Sequence, residues 1–328
     1  MNRISISAAL LIVSLAAAPF CAASGIVKPG DPWVDNRGQR IQAHGGGITF
    51  WNGTYYWFGE DRTPANDPDK RYVACYSSRD LVHWKFRRQV LALSDPEHLG
   101  PHWVLERPKV YPNQSTHQFV LYAHLDDARY KVARVMVAVS NRIDGDYRYV
   151  KSFRPLDQES RDIGQFIDDD GSAYLIFESR PTKGFFIAKL SSDYLSVEKQ
   201  TAFIQAPLEG GALVHDNGLY YVIGSRMTGW APNPNQYATA VNLEGPWSTF
   251  KDIAPPEKKT YGSQSSFLLK VVGSKSTSVI YMGDIWKPTA QWDSRYLWMP
   301  LEMGDGKLWV SEPKAWTIDV ATGETQIE

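Results

Sequence analysis

The chain has 328 residues, 43% of them hydrophobic, with 35 basic and 36 acidic side chains and a formal net charge of −1. A neutral chain offers no broad cationic surface for nucleic acid or for an anionic membrane, which argues against both as partners. The length suits two small domains or one large one, and all-β domains of this size often form a single unit.

Residues 1–23 have the features of a signal peptide. Arg3 supplies a positive start, residues 8–18 are apolar, and small residues precede a cleavage point near Ser24. The apolar stretch is too short to span a bilayer. We therefore expect a secreted or periplasmic protein whose mature chain, residues 24–328, is a single domain and a monomer.

The sequence contains two cysteines, Cys21 and Cys75. If Cys21 leaves with the signal peptide, Cys75 has no partner within the mature chain. An intramolecular disulfide is then excluded, and a large hydrophobic core must hold the fold together.

Beyond the leader, five units of similar pattern follow one another, each with a short apolar strand, a turn and a second aromatic-rich strand. In chain order, they cover residues 47–60, 109–124, 165–178, 212–225 and 266–284. Asn52-Gly53, Asp170-Gly171 and Asn217-Gly218 favour tight hairpins, because Asn and Gly accept positive φ. A third strand often follows, and long amphipathic helices are lacking. The pattern predicts an all-β fold, a five-bladed β-propeller. A β-sandwich has similar strand content but does not explain the repetition.

Five polar residues occupy the equivalent position just before the first strand of each unit. They are His44, Glu106, Asp162, Glu209 and Gln264. In a propeller the first strands line a central channel, so these side chains are expected to form a ring at one rim. Desolvated carboxylates cost several kcal/mol (roughly) unless they are paired or used, so the ring predicts a functional site.

Paired carboxyl groups are the usual machinery of glycoside hydrolysis, where one acid of raised pKa protonates the leaving oxygen. Glu209 is the best acid candidate, because Gly210-Gly211 lets a ligand approach the backbone. Asp162 is interpreted as the neighbour that orients Glu209 and tunes its pKa. Glu209 as a rim ion-pair partner, and Asp162 as a cap or a partner of Arg161, remain alternatives.

The remaining candidates are more ambiguous. Glu106 either holds a sugar hydroxyl or pairs with Arg107, and Glu60 is interpreted as a hydroxyl binder. His44, which begins a glycine run, is a candidate base, metal ligand or hydrogen-bond partner. Residues 168–171 resemble a calcium loop only superficially, and a hairpin turn explains them better. We expect no metal and no cofactor.

Several segments together resemble glycoside hydrolase family 43, and within it the exo-β-1,3-galactanases. The segments that carry the resemblance are residues 42–47, 56–60, 106–110, 124–130, 160–162, 208–210, 228–230 and 262–265. They cover nearly the whole mature chain. The resemblance implies a five-bladed propeller and an inverting mechanism.

By this resemblance Glu209 is the general acid and Asp162 its modulator. Most of the family places an aspartate base where this chain has His44. In galactanase-like members a glutamine is implied to hold the attacking water, and Gln264 matches it. The implied contacts to the terminal galactose are Glu60, Glu106, Tyr130, Thr228 and Trp230.

The sequence therefore predicts an exo-acting hydrolase that releases galactose from β-1,3-galactan, as a polysaccharide or as oligosaccharides of the arabinogalactan type. Two alternatives remain: an α-L-arabinofuranosidase or β-xylosidase of the same family, and a glycan-binding propeller without catalysis. The absence of the usual aspartate base favours the second of these.

Overall fold

The computed structural model describes residues 25–328 of the chain, so the predicted signal peptide lies outside the described residues. The first described strand is β1 (Ile26–Val27). Almost all of the remaining regular structure is β-strand, and most of it belongs to five consecutive antiparallel sheets. An all-β fold was predicted, and it is confirmed.

The first two sheets have four strands each, paired in chain order. The strands of the first sheet are β2 (His44–Trp51), β3 (Thr54–Glu60), β4 (Lys70–Ser78) and β5 (Lys85–Ser94). Those of the second are β6 (Val104–Asn113), β7 (Gln118–Asp126), β8 (Arg134–Ser140) and β9 (Arg148–Phe153). In both, chain order follows hydrogen-bonding order, as short hairpin connections require.

The next three sheets follow the same plan, although the last has three strands. The third contains β10 (Ile163–Ile167), β11 (Ala173–Ser179), β12 (Gly184–Leu190) and β13 (Val197–Gln205). The fourth contains β14 (Leu208–Asp216), β15 (Leu219–Arg226), β16 (Asn235–Ala240) and β17 (Lys251–Asp252). The fifth contains β18 (Gln264–Val272), β19 (Thr277–Ile285) and β20 (Arg295–Pro300).

The chain ends with two short hairpins. The first pairs β21 (Glu302–Gly304) with β22 (Lys307–Trp309), and the second pairs β23 (Trp316–Asp319) with β24 (Glu324–Ile327). Strand β1 pairs with β23, which ties the start of the described chain to its end. The helical elements are 3-10 turns at Pro155–Asp157, Pro256–Gly262 and Gln291–Asp293. Among residues 25–328, no helix is long and apolar enough to cross a bilayer.

Contacts between the sheets close a ring. The first strands of successive sheets pack against one another, and the first strand of the fifth sheet packs against that of the first. The apolar core is divided into clusters that lie between neighbouring sheets. Burial of this apolar surface stabilises the fold by roughly 25 cal/mol per Å² removed from water. Cys75 is buried and free.

The turns that join the first and second strands have the backbone expected from the sequence. Asn52 and Asn217 have φ of 47° and 48°, and the glycines that follow them are also positive. In the third sheet, Gly171 has φ of 82°, and the amide of Asp168 donates to the carbonyl of Ser172. The aspartate-rich segment is thus the turn between β10 and β11.

Candidate active site

The five ring residues lie at the same end of the five first strands. Asp162 immediately precedes β10, as the sequence predicted for all five. The other four lie within the first three residues of their strands, which corrects the prediction. Antiparallel strand pairing extends to these positions, and each ring residue lies opposite a residue near the end of the second strand of its sheet. The five pairs are His44 with Glu60, Glu106 with His124, Asp162 with Glu178, Glu209 with Ser225, and Gln264 with Asp284.

A β-bulge follows the ring residue in four of the sheets. The register shifts after His44, Glu106 and Glu209, and after Ser265, next to Gln264. A bulge bends its strand and re-aims the side chains beside it. The bulges explain why polar side chains at strand starts turn towards a common space.

That space is a cavity of about 580 Å³. Four of the ring residues line it: Glu106, Asp162, Glu209 and Gln264. Three of the predicted sugar contacts, Glu60, Tyr130 and Trp230, line it as well. Among the predicted residues, His44 and Thr228 are outside this lining.

Glu209 is 6% exposed and accepts a hydrogen bond on each carboxyl oxygen. Nη2 of Arg180 lies 3.0 Å from Oε2, and Nε2 of Gln264 lies 3.0 Å from Oε1. Burial, together with the negative charges of Asp162 and Glu178, raises the pKa of Glu209 to about 8. Arg107 and Arg180 oppose this rise. A carboxyl group with this pKa carries a proton at neutral pH, as a general acid must.

The side-chain amide of Gln264 is fixed by hydrogen bonds at both ends. Its Oε1 accepts from Nη2 of Arg107 at 2.6 Å and from Nε1 of Trp286 at 2.8 Å. Its Nε2 donates to Glu209 and to the hydroxyl of Ser225, at 3.0 Å in each case. These contacts set which end of the amide is oxygen, because both Arg107 and Trp286 are donors.

Arg107 is buried and connects three parts of the site. Its Nη2 lies 2.9 Å from Oδ2 of Asp162 and also binds Gln264, while its Nη1 donates to the carbonyl of Ser265 at 2.8 Å. Its backbone amide donates to Oε1 of Glu60 at 3.0 Å. The sequence left open whether Arg107 pairs with Glu106. In the structure its carboxylate partner is Asp162.

A third carboxyl group, Glu178, lies beside Glu209 and Asp162. It is fully buried, and its Oε2 has no hydrogen-bond partner among the described residues. Burial and the charge of Asp162 raise its pKa to about 7. Nε of Arg180 lies 3.5 Å from its Oε1, so Arg180 bridges Glu178 and Glu209. Glu209 therefore belongs to a cluster of three carboxyl groups.

The opposite wall of the cavity is built around Glu60 and Glu106. Arg62 pairs with Glu60 and lies 3.6 Å from Glu106. Burial raises the pKa of Glu60, although Arg62 opposes the rise. The hydroxyl of Tyr130 donates to Glu106 at 3.1 Å. Carboxylates held in this way can accept hydrogen bonds from sugar hydroxyls.

The buried ring of His124 lies between the carboxylates of Glu106 and Asp126. Its Nδ1 is 3.4 Å from Glu106, and its Nε2 is 3.0 Å from Asp126. Burial would lower the pKa of His124, but the two carboxylates outweigh it and raise the pKa to about 9. In turn, burial would raise the pKa of Glu106, yet His124, 3.4 Å away, lowers it. Glu106 is thereby kept ionised.

The aromatic residues of the cavity, Tyr130, Trp230 and Trp286, come from three loops. Trp230 is 46% exposed and contacts Trp286 edge-on, with ring centroids 5.6 Å apart. Trp230 is thus free to offer a face to a sugar. Thr228 is exposed, but its hydroxyl is engaged within its own loop, with the carbonyl of Ala231 at 2.6 Å and with Asn233 at 2.7 Å. Its predicted contact to galactose stays a prediction.

His44 is completely buried beneath the cavity floor. Its ring stacks on Tyr296, with centroids 5.1 Å apart, and Nδ1 lies 3.5 Å from Oδ1 of Asp284. Oδ2 of Asp284 accepts the amide of Gly45 at 3.1 Å. Neither ring nitrogen of His44 has a hydrogen-bond partner among the described residues, so its role as base, metal ligand or hydrogen-bond partner stays a prediction.

Two sets of side chains bring three possible metal ligands together. They are Glu106, His124 and Asp162 in the cavity, and Asp168, Asp169 and His215 at the opposite ends of the strands. In the first set each residue already has a charged or hydrogen-bonding partner. The prediction that no metal takes part stays a prediction.

Comparison with known proteins identifies the family. The family model described as "Glycosyl hydrolases family 43" matches residues 45–267, more than half of the chain. The chain belongs to glycosyl hydrolase family 43. Among curated proteins, no sequence matches significantly.

The solved structures similar to this family 43 chain include several galactanases. An exo-β-1,3-galactanase from Phanerochaete chrysosporium, determined with galactose, is 38% identical with a TM-score of 0.86, over 93% of this chain and 71% of that one. The enzyme from Clostridium thermocellum is 34% identical with a TM-score of 0.85, over 92% and 68%. A putative exo-β-1,3-galactanase from Bifidobacterium bifidum is 31% identical with a TM-score of 0.81, over 87% and 96%.

Several residues of this family 43 site were not identified from the sequence: Arg62, Arg107, His124, Glu178, Arg180, Asp284 and Trp286. Three of them were detectable in principle. His124, Glu178 and Asp284 occupy the same position near the end of the second strand in the second, third and fifth repeats, opposite the ring residues. Arg62 and Arg180 each lie two residues after this position in their own repeats, but only the folded structure shows their partners.

Proposed function

We propose that this family 43 member is an inverting exo-β-1,3-galactanase that releases galactose from β-1,3-galactan, including the backbone of arabinogalactan. The observation that carries the proposal is the cavity in which Glu209 has a pKa raised to about 8 and contacts Gln264. Similarity to exo-β-1,3-galactanases at 31–38% identity supports the choice of substrate. Arabinofuranosidase and xylosidase activities have no comparable support.

In the proposed reaction, Glu209 donates its proton to the glycosidic oxygen as the bond from that oxygen to C1 breaks. A water positioned by Gln264 attacks C1 from the opposite face and releases one proton to solvent, so galactose leaves as the α anomer. A proton from solvent then restores Glu209. Asp162 orients Glu209 and keeps its pKa high. Arg107 and Trp286 donate hydrogen bonds to Oε1 of Gln264 and so fix the orientation of the amide group that positions the water.

The contact between Gln264 and Glu209 has a consequence for this reaction. Inverting enzymes separate their two catalytic groups by roughly 6.5–9.5 Å, which leaves space for a sugar and a water. Here Nε2 of Gln264 lies 3.0 Å from Oε1 of Glu209. We infer that the terminal sugar enters between them and replaces this hydrogen bond with its own contacts.

We further propose that the five sheets are the blades of a five-bladed β-propeller. The cyclic packing of the five first strands supports this arrangement. Exo action is supported by the similarity of this chain to exo-β-1,3-galactanases.

Product analysis by NMR on β-1,3-galactan tests the function. We expect the wild type to release α-galactose and Glu209→Gln to release almost none. Glu244→Gln, an exposed glutamate remote from the cavity, is the matched control. Galactan binding without any release by the wild type would instead identify a glycan-binding propeller, and β-galactose as the first product would contradict inversion.

We also propose that residues 1–23 are removed on export, so that the mature protein is secreted or periplasmic, and that it is a monomer. Mass spectrometry of the exported protein should show a chain that starts near Ser24. Light scattering should give the mass of one chain.

A further inference from the structure

We propose that the preferred substrates are galactans that carry a carboxylate, in the form of a uronic acid, on the galactose next to the terminal one. This inference rests on the proposed function and adds a substrate class to it. The evidence is a cationic edge of the cavity in which two side chains, Arg129 and Lys131, form no ion pair among the described residues.

The cavity contains more cations than anions. Its lining has four carboxyl groups, those of Glu60, Glu106, Asp162 and Glu209. It also has six cations: Arg62, Arg107, Arg129, Lys131, Arg161 and Arg180. A protonated Glu209 removes one negative charge during catalysis. The excess of positive charge is therefore greatest in the form of the enzyme that acts on substrate.

The deeper cations are neutralised by carboxylates. Arg62 pairs with Glu60, and Arg107 pairs with Asp162. Both bind groups that the proposed reaction needs in place. These two arginines are thus explained by the catalytic geometry alone.

Two cations at the cavity mouth, Arg129 and Lys131, have no carboxylate partner of this kind within the described chain. Arg129 and Lys131 are exposed, and neither forms an ion pair with any acid among residues 25–328. The two flank Tyr130, whose hydroxyl reaches down to Glu106. Their charges therefore face the opening rather than a protein partner.

Arg161 and Arg180 extend this cationic mouth towards the acid. Nη2 of Arg161 donates to the carbonyl of Tyr130 at 2.7 Å and lies 3.4 Å from Oε2 of Glu159. The amide of Arg161 donates to the carbonyl of Glu178 at 3.2 Å. Arg180 bonds Glu209, and its side chain is 47% exposed. The four cations thus form one continuous edge, which runs from the Tyr130 loop to the proton donor.

This edge lies where the departing part of the chain must pass. The acid protonates the oxygen of the leaving group, so the groups beside Glu209 face the leaving side. In an exo enzyme the terminal sugar occupies the closed end and the rest of the chain leaves through the mouth. A carboxylate there would gain charge-assisted hydrogen bonds from the guanidinium groups. A neutral sugar can accept hydrogen bonds from the same groups but lacks the attraction between opposite charges.

The test compares three oligosaccharides built on β-1,3-galactotriose. The first is unbranched, the second carries a uronic acid on the middle galactose, and the third carries the uncharged hexose of the same shape there. We expect kcat/KM for the acidic substrate to exceed that for the hexose-bearing one by about fivefold, the sum of a few partly exposed charge contacts. The excess should shrink in high salt because exposed charges are screened.

The double variant Arg129→Gln/Lys131→Gln should bring this ratio close to one. Arg148→Gln/Lys199→Gln removes the same charges from exposed positions on β9 and β13, and should keep the wild-type ratio. Equal rates for the two branched substrates in the wild type would overturn the inference, as would a ratio unchanged in the first double variant. Failure to release galactose from the unbranched substrate would instead contradict the proposed function itself.

Discussion

Nε2 of Gln264 donates a hydrogen bond to Oε1 of Glu209 across the centre of the cavity, over 3.0 Å. The two residues come from the first strands of neighbouring sheets, 55 positions apart in the chain. Each side chain also has partners of its own: Arg180 holds Glu209, while Arg107 and Trp286 hold Gln264.

Gln264→Ala should lower kcat on β-1,3-galactotriose by about 100-fold or more, because water loses its positioning group at the reacting carbon. KM should change much less, since the sugar contacts on the opposite wall remain. Steady-state kinetics give both values. A variant that raised KM alone would show that Gln264 only binds the sugar.

Glu178→Gln and Arg180→Gln should shift the alkaline limb of kcat/KM in opposite directions. This limb reports the pKa of the acid in the free enzyme, about 8 for Glu209. Loss of the negative charge of Glu178 lowers that pKa, so activity should fall at lower pH. Loss of the positive charge of Arg180 raises it, so activity should persist to higher pH. Shifts in the same direction would rule out direct charge control, and Glu244→Gln should leave the limb in place.

The free energy of unfolding should decrease as the pH rises through 7 and 8. Glu178 and Glu209 have folded pKa values of about 7 and about 8, against 4.5 for an ordinary glutamate. The folded chain therefore holds protons that the unfolded chain releases, and this stabilisation is complete below about pH 4.5 and lost as the pH passes the folded values. Urea denaturation at several pH values measures the trend. The decrease should be smaller in Glu178→Gln, and an equal decrease in both proteins would contradict the assignment to Glu178.

Arg107→Met should destabilise the protein by about 2–4 kcal/mol, because Asp162 would be left as a partly buried charge without its partner. Chemical denaturation checks this value. Arg107→Lys should lose less stability, since it keeps the charge. It should still lose activity, because a lysine cannot bind Asp162, Gln264 and the Ser265 carbonyl in one fork. If Arg107→Lys kept full kcat, the proposal that Arg107 positions Gln264 for catalysis would be contradicted.

The sequence predicted the convergence of Asp162, Glu209 and Gln264 because the repeat places them at equivalent positions. Once the five units are aligned, equivalent residues must lie around one axis, whatever the details of packing. Burial of His44 did not follow in this way. It depends on Tyr296, from the third strand of the fifth sheet, which stacks on the ring of His44 and closes the space above a glycine run.

The ion pairs of the site could not be predicted for a different reason. Arg107 binds Gln264 across 157 positions of sequence, and Arg180 binds Glu209 across 29. Such contacts depend on which way a long side chain turns at a bulge. Hydrophobic periodicity fixes the sheet but not that direction, so the sequence allowed Arg107 to pair with Glu106 as readily as with Asp162.

Gly46→Ala should lower stability by about 1–3 kcal/mol and reduce kcat as well, because a Cβ at Gly46 would lie 2.1 Å from the backbone carbonyl oxygen of Phe58. That oxygen belongs to the paired strand and cannot give way without shifting the β2 bulge, whose carbonyl at Gly45 accepts a hydrogen bond from Lys109. Gly38→Ala is the control: it has positive φ but no atom within 4 Å of the added Cβ, so it should cost about 1 kcal/mol and leave kcat unchanged. Thermal denaturation and galactose release, measured on both variants, decide the point. Equal kcat values for the Gly46→Ala and Gly38→Ala variants would show that the backbone geometry of the β2 bulge does not affect catalysis in the cavity.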